Sequence, residues 1–113
     1  MKPKNLMDPP KVSPKRNKYN AVKTKVDGIT FDSKKEASYY RQLKMAVEEG
    51  EISYFLRQVP FDLDGNVKYR VDFMVVCNDG TIDYIDVKGH RTPVYILKKK
   101  QVEARYPVTI QEA

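Results

Sequence analysis

The sequence predicts an α/β domain in which a mixed central sheet is flanked by helices. After a short entry hairpin the order is helix, strand, strand, strand, helix, strand. Three observations predict it. Lys68–Cys77 and Thr81–Gly89 are rich in Val, Ile, Tyr and Phe and are separated by Asn78-Asp79-Gly80, which reads as a hairpin. Residues 33–49 carry Ala37, Tyr40, Leu43 and Val47 at helical spacing. The chain closes on a strand–helix–strand step, which implies one parallel pair with a right-handed crossover.

Taken in order, residues 1–18 form a basic arm. Residues 1–19 hold six basic side chains (Lys2, Lys4, Lys11, Lys15, Arg16 and Lys18) against Asp8, so five of the six net positive charges sit there. Pro3, Pro9, Pro10 and Pro14 lie among them with few large apolar residues, the composition of a flexible segment. A basic arm on a nearly neutral body points to a polyanion, most simply nucleic acid; its bland role is a solubilising tail.

The single domain of residues 19–113 opens with strands around Ala21–Val26 and Ile29–Phe31, joined at Asp27-Gly28. Ser33 with Glu36 three residues on is a capping box that starts the first helix, and Gly50 stops it. Glu36 also lies in line with Tyr40, Leu43 and Val47, so it points toward whatever that stripe covers. Residues 51–61 read as a strand. Within it Gln58 is a polar residue in the apolar row of Ile52, Tyr54 and Leu56. Base rates for glutamine favour an exposed strand end; the alternatives are support for a carboxylate cluster or a phosphate contact.

The central hairpin is apolar on both parities, which predicts cover on both faces. Asp72, Asp86 and Lys88 are set into it, and such groups are costly to bury unless paired or bound to a cation. A two-residue loop sets Asp72 against Val87. A three-residue loop sets it against Asp86, with Lys88 on the same face. Asn-Asp-Gly suits the three-residue form, because Gly80 accepts a positive φ. Two carboxylates directly opposite then require either a proton or a divalent cation.

His90 and Arg91 fall in a loop, and residues 94–105 form a second helix. Its Lys98, Lys99 and Lys100 fan over roughly 200° at 3.6 residues per turn, so at least one faces inward or across a groove. Residues 108–110 are the last strand. Cys77, the only cysteine, excludes an intrachain disulfide and reads as a buried strand residue. With no apolar run near 18 residues and no signal-peptide pattern, a soluble, cytoplasmic protein is expected.

An acidic residue two before a lysine occurs about once by chance in a chain of this size. The ordered set is more specific: an acid at the start of a first helix (Glu36), an acid in a strand (Asp72), a short turn, acid-x-Lys in the next strand (Asp86-Val87-Lys88), then a basic helix. This pattern resembles the PD-(D/E)xK nuclease superfamily, with Val71-Asp72 in place of Pro-Asp and Asp86 in place of Glu. It looks most like phage Holliday-junction resolvases of the endonuclease I type and TnsA-like endonucleases, over residues 19–112. In those a Gln often follows the first strand, matching Gln58.

The resemblance implies an αβββαβ nuclease core and hydrolysis of DNA phosphodiester bonds with Mg²⁺ or Mn²⁺ on branched DNA; two symmetric cuts need two active sites, so a homodimer is expected, with no membrane and no small-molecule substrate. It gives Glu36, Asp72, Asp86 and Lys88 catalytic roles, with Asp72, Asp86, Glu36 and the Val87 carbonyl on the metal. Hard oxygen ligands suit these cations. Gln58, Arg91, Lys98, Lys99, Lys100, Lys15, Arg16 and Lys18 are the expected DNA contacts. The competing expectations are a non-catalytic DNA-binding or recombination-accessory protein on the same fold, a nicking or restriction-type enzyme, and an unrelated regulatory protein whose Asp72 and Asp86 lie on opposite faces.

Overall fold

The computed structural model describes residues 23–88 and 91–113. The predicted basic arm with Lys15, Arg16 and Lys18, and also His90, lie outside the described residues. The elements are β1 (Thr24–Val26), β2 (Ile29–Phe31), α1 (Lys34–Glu48), β3 (Ile52–Leu63), β4 (Val67–Cys77), β5 (Ile82–Asp86), α2 (Pro93–Arg105) and β6 (Ile110–Glu112). The chain divides into two units, Met1–Ser38 and Tyr39–Ala113, with the boundary inside α1.

In the first unit, β1 and β2 pair antiparallel as the predicted hairpin. Ser33 caps α1: its Oγ accepts the Glu36 N–H at 3.1 Å, one of the donors that a helix start leaves without a partner.

In the second unit, α1 runs on to a stop made by Gly50. Its N–H donates to Val47 O at 3.1 Å and that of Glu51 to Ala46 O at 2.8 Å, while Gly50 takes φ +76°. These are the two bonds of a Schellman cap, and the left-handed residue between them is cheapest as glycine. Beyond it lies a four-stranded sheet in the order β3-β4-β5-β6. The first two pairings are antiparallel and β5–β6 is parallel. The predicted mixed sheet with one parallel pair is therefore present. Pro60 is tolerated because β3 is an edge strand. β6 starts two residues later than the predicted strand and reaches Glu112.

The two helices cover opposite faces. Tyr39 of α1 stacks on Phe73 at 5.4 Å between ring centroids, and Phe73 is paired with Ile85. Tyr84, the residue before Ile85, packs instead with the cluster of Leu63, Tyr69, Val71, Tyr95, Val102 and Ile110 built around α2. Neighbouring residues of a strand point to opposite faces, which separates the two layers. Val71, Phe73 and Val102 have essentially no exposed surface, and each such side chain contributes about 1.5–3 kcal/mol. The even-numbered side of the hairpin is less covered than its apolar sequence predicts. Met74 and Val76 are half-buried, and Ile82 is 48% exposed.

One irregularity lies at the middle of the sheet. Val71 and Phe73 share parity, yet Val71 packs with the α2 cluster and Phe73 against α1. On β3, Phe55 touches Tyr40 of α1 whereas Phe61 touches Tyr84 and Tyr106. A regular strand sends such positions to one face. The turnover coincides with Gln58, which has φ +52° inside β3 and faces Asp72 between the pairs Arg57↔Phe73 and Val59↔Val71.

Candidate active site

The turn sets the register. Cys77 N–H donates to Thr81 O at 2.8 Å and Gly80 N–H to Cys77 O at 3.0 Å, and Gly80 takes φ +91°. Asp79 Oδ1 accepts from both the N–H (2.9 Å) and the hydroxyl (2.7 Å) of Thr81. This is the three-residue loop. Its pairs run Val76↔Ile82, Val75↔Asp83, Met74↔Tyr84 and Phe73↔Ile85. The next step sets Asp72 against Asp86, on one side of the hairpin.

At that step side chains replace the backbone ladder. Asp72 N–H donates to Asp86 Oδ1 at 2.9 Å, and Val87 N–H donates to Asp72 Oδ2 at 2.9 Å. Gln58 Nε2 donates to Asp72 Oδ1 at 3.3 Å, and the Tyr69 hydroxyl to Asp86 Oδ2. Each carboxylate thus accepts from two donors, as a buried charge requires. Asp86 has no exposed surface and Asp72 is 9% exposed. Burial pushes the Asp86 carboxyl above its ordinary value of 3.8, and the nearby Glu112 adds to this; the Asp72 N–H, Lys88 and Tyr95 act the other way.

Lys88 is half-buried two residues beyond Asp86, with Nζ 4.7 Å from the centroid of the Tyr95 ring. Val87, between them, is buried. Glu112 is the Cα partner of Asp86 across the parallel β5–β6 pair. The Tyr95 hydroxyl donates to Glu112 Oε2 at 2.9 Å, and Arg91 Nε lies 3.2 Å from the same oxygen. Burial first, then the bond to Glu112, raises the Tyr95 pKa, so this hydroxyl stays a neutral donor.

The second unit therefore brings together Gln58, Asp72, Asp86, Val87 and Lys88. Gln58 is not at an exposed strand end: it sits inside β3 and holds Asp72. Glu36 belongs to the first unit and is buried in the opening turn of α1. Of the predicted phosphate contacts, Arg91 meets Glu112, and Lys99 Nζ lies 3.6 Å from Glu103 Oε2. Lys98 is half-buried and Lys100 exposed. Sequence reasoning missed Tyr69, Tyr95 and Glu112. Only the strand–helix–strand step hinted at Glu112, because it made β6 a parallel neighbour of β5.

The donor set fits a hard divalent cation. Asp72 and Asp86 present hard carboxylate oxygens of the kind such a cation takes. Among the described residues, no three His, Cys, Asp or Glu side chains gather around one point. Mg²⁺ needs no such cage, since it binds through one or two carboxylates with water and substrate phosphate.

No helix among the described residues is long and apolar enough to cross a membrane. No curated protein and no solved structure matches the chain. A family model described as a protein of unknown function, DUF1064, matches residues 16–111, so the whole hairpin, both helices and the opposed aspartates fall within it, and the chain belongs to the DUF1064 family.

Proposed function

We propose that this protein is a Mg²⁺- or Mn²⁺-dependent endonuclease of PD-(D/E)xK type that hydrolyses DNA phosphodiester bonds, selecting branched DNA and working as a homodimer. One observation carries the reading: Asp72 and Asp86 face each other across the β4–β5 hairpin with Lys88 two residues on. Their oxygens, with the Val87 carbonyl, would hold the cation. When bound, it would supply a more acidic water and a charge partner for the scissile phosphate.

The chain's own residues do the rest. The two carboxylates are tied to each other's strand through the Asp72 and Val87 amides. Gln58 and Tyr69 take up one lone pair each and orient the two groups. The Lys88 ammonium lies at the same end of β5 and would neutralise charge that builds on the phosphate. Arg91, Lys98 and Lys100 would contact flanking phosphates, giving affinity without sequence choice. Two symmetric cuts across a four-way junction need two such sites, and a twofold dimer provides them.

The test incubates wild type, Asp72→Asn and Asp86→Asn with four-way junction, flap and linear duplex DNA in Mg²⁺, Mn²⁺ or Ca²⁺. Wild type is expected to cut branched DNA in Mg²⁺ and Mn²⁺, and each variant to lose about a hundredfold or more. Binding to junctions without cleavage by wild type would favour the accessory-protein alternative. Equal cleavage by Asp86→Asn would exclude this site.

A further inference from the structure

We infer that Tyr95 and Glu112 form a positioning pair that fixes the Lys88 ammonium, and that this pair is part of the site although neither residue belongs to the acid-x-lysine pattern. The inference rests on the reading of Lys88 as the ammonium that neutralises charge building on the phosphate.

Three contacts make a chain from β6 through α2 to the end of β5. Glu112 holds the Tyr95 hydroxyl at 2.9 Å. The face of the Tyr95 ring lies 4.7 Å from Lys88 Nζ, within the range of a cation–π contact. Arg91, 3.2 Å from the same Glu112 oxygen, holds the carboxylate from its outer side. A lysine side chain has four rotatable carbons and a strongly hydrated head, so it does not hold one place unaided. A ring face gives it one without removing its charge. The ring itself is immobile: Tyr95 is 7% exposed, packs on Tyr69 at 6.2 Å, and is tied at its far end by Glu112. Glu112 in turn cannot drift, because its backbone is registered on Asp86 and the following Ala113 N–H donates to Asp86 O at 2.8 Å. One strand pairing thus places the carboxylate and the ammonium's support together.

The test follows Lys88 directly, by NMR of protein labelled at the lysine ε-carbon, with Lys88→Arg assigning the signal. In wild type the Lys88 ε-methylene protons are expected upfield of the other lysines, because they lie over an aromatic ring. Tyr95→Leu is expected to abolish the shift. Tyr95→Phe and Glu112→Met keep the ring but release its tether, since neither leaves a hydroxyl–carboxylate bond, and each is expected to reduce the shift to a similar degree. The double variant is expected to go no further than either single one, as for two groups acting as one unit. In the cleavage assay, Tyr95→Phe and Glu112→Met are expected to lower kcat about tenfold at unchanged KM.

A Lys88 signal without the upfield shift in a wild type that cuts DNA would overturn the positioning pair and leave the nuclease reading standing. So would a signal that Glu112→Met does not move. The shift and the non-additive cycle in a wild type that cuts nothing would uphold the pair as the device that holds Lys88 and overturn the nuclease reading.

Discussion

Asp86 shows what a single buried carboxylate costs and what holds it. It has no exposed surface, and burial raises its pKa, so the fold holds its charged form less readily than water does. Above that pKa the charged form opposes folding. As pH falls, the folded chain takes up the proton before the unfolded one does, and stability contributed by this group returns, complete near the ordinary value of 3.8. Asp86→Asn removes the charge, keeps an acceptor for the Asp72 N–H, and turns its NH₂ toward the Tyr69 hydroxyl oxygen, which can accept once that hydroxyl rotates. In chelator at neutral pH it is therefore expected to melt above wild type in a calorimetric scan, with the advantage shrinking as pH approaches 4. Stability gained with activity lost is the usual sign of a charge kept for function. The same scale explains the misreading of Gln58. Composition gives only the frequency with which glutamine is exposed. Its left-handed φ and its bond to Asp72 depend on a partner fourteen residues away, which no local pattern records.

At the scale of elements, most boundaries were legible because their causes are local. Ser33 caps α1, Gly50 ends it, and Asp79 with Gly80 closes the hairpin, each through bonds within a few residues. The turn matters most, since a one-residue slip would carry Asp86 to the other face. Gly80 takes φ +91°, and a Cβ there would meet nothing within 4 Å, so Gly80→Ala incurs backbone strain alone. It is expected to destabilise by about 1 kcal/mol, read as a lower urea midpoint at unchanged m-value. The cover of the hairpin was met only in part at this scale, a helix lying on each face without reaching every apolar residue. Apolar residues on both parities suggested two buried faces, yet Ile82 is exposed and Met74 half-buried. β-Branched and apolar residues mark a pleated surface without stating what lies on it.

For the whole molecule, charge is the property that sequence states outright. Five of the six net positive charges fall within residues 1–19, apart from the carboxylate hairpin. If that segment meets DNA, removing residues 1–18 should weaken binding and flatten the slope of log affinity against log salt by up to about five, near 0.9 per lost phosphate contact. A fluorescence-anisotropy salt series on the full and shortened chains checks this. An unchanged slope would mean that the arm makes no phosphate contacts.

By itself the sequence determined the order of helices and strands, the three-residue turn and so the opposition of Asp72 and Asp86, because hydrophobic period, capping and glycine geometry act over a few residues. Tertiary structure alone decided that Glu112 stands against Asp86 across the parallel pair, that Tyr69 and Tyr95 reach the site, and that Gln58 takes a left-handed φ inside β3 and bonds Asp72. Those meetings join residues far apart in the chain. They are fixed by which apolar faces bury one another when the layers close, and no run of neighbouring residues encodes that choice.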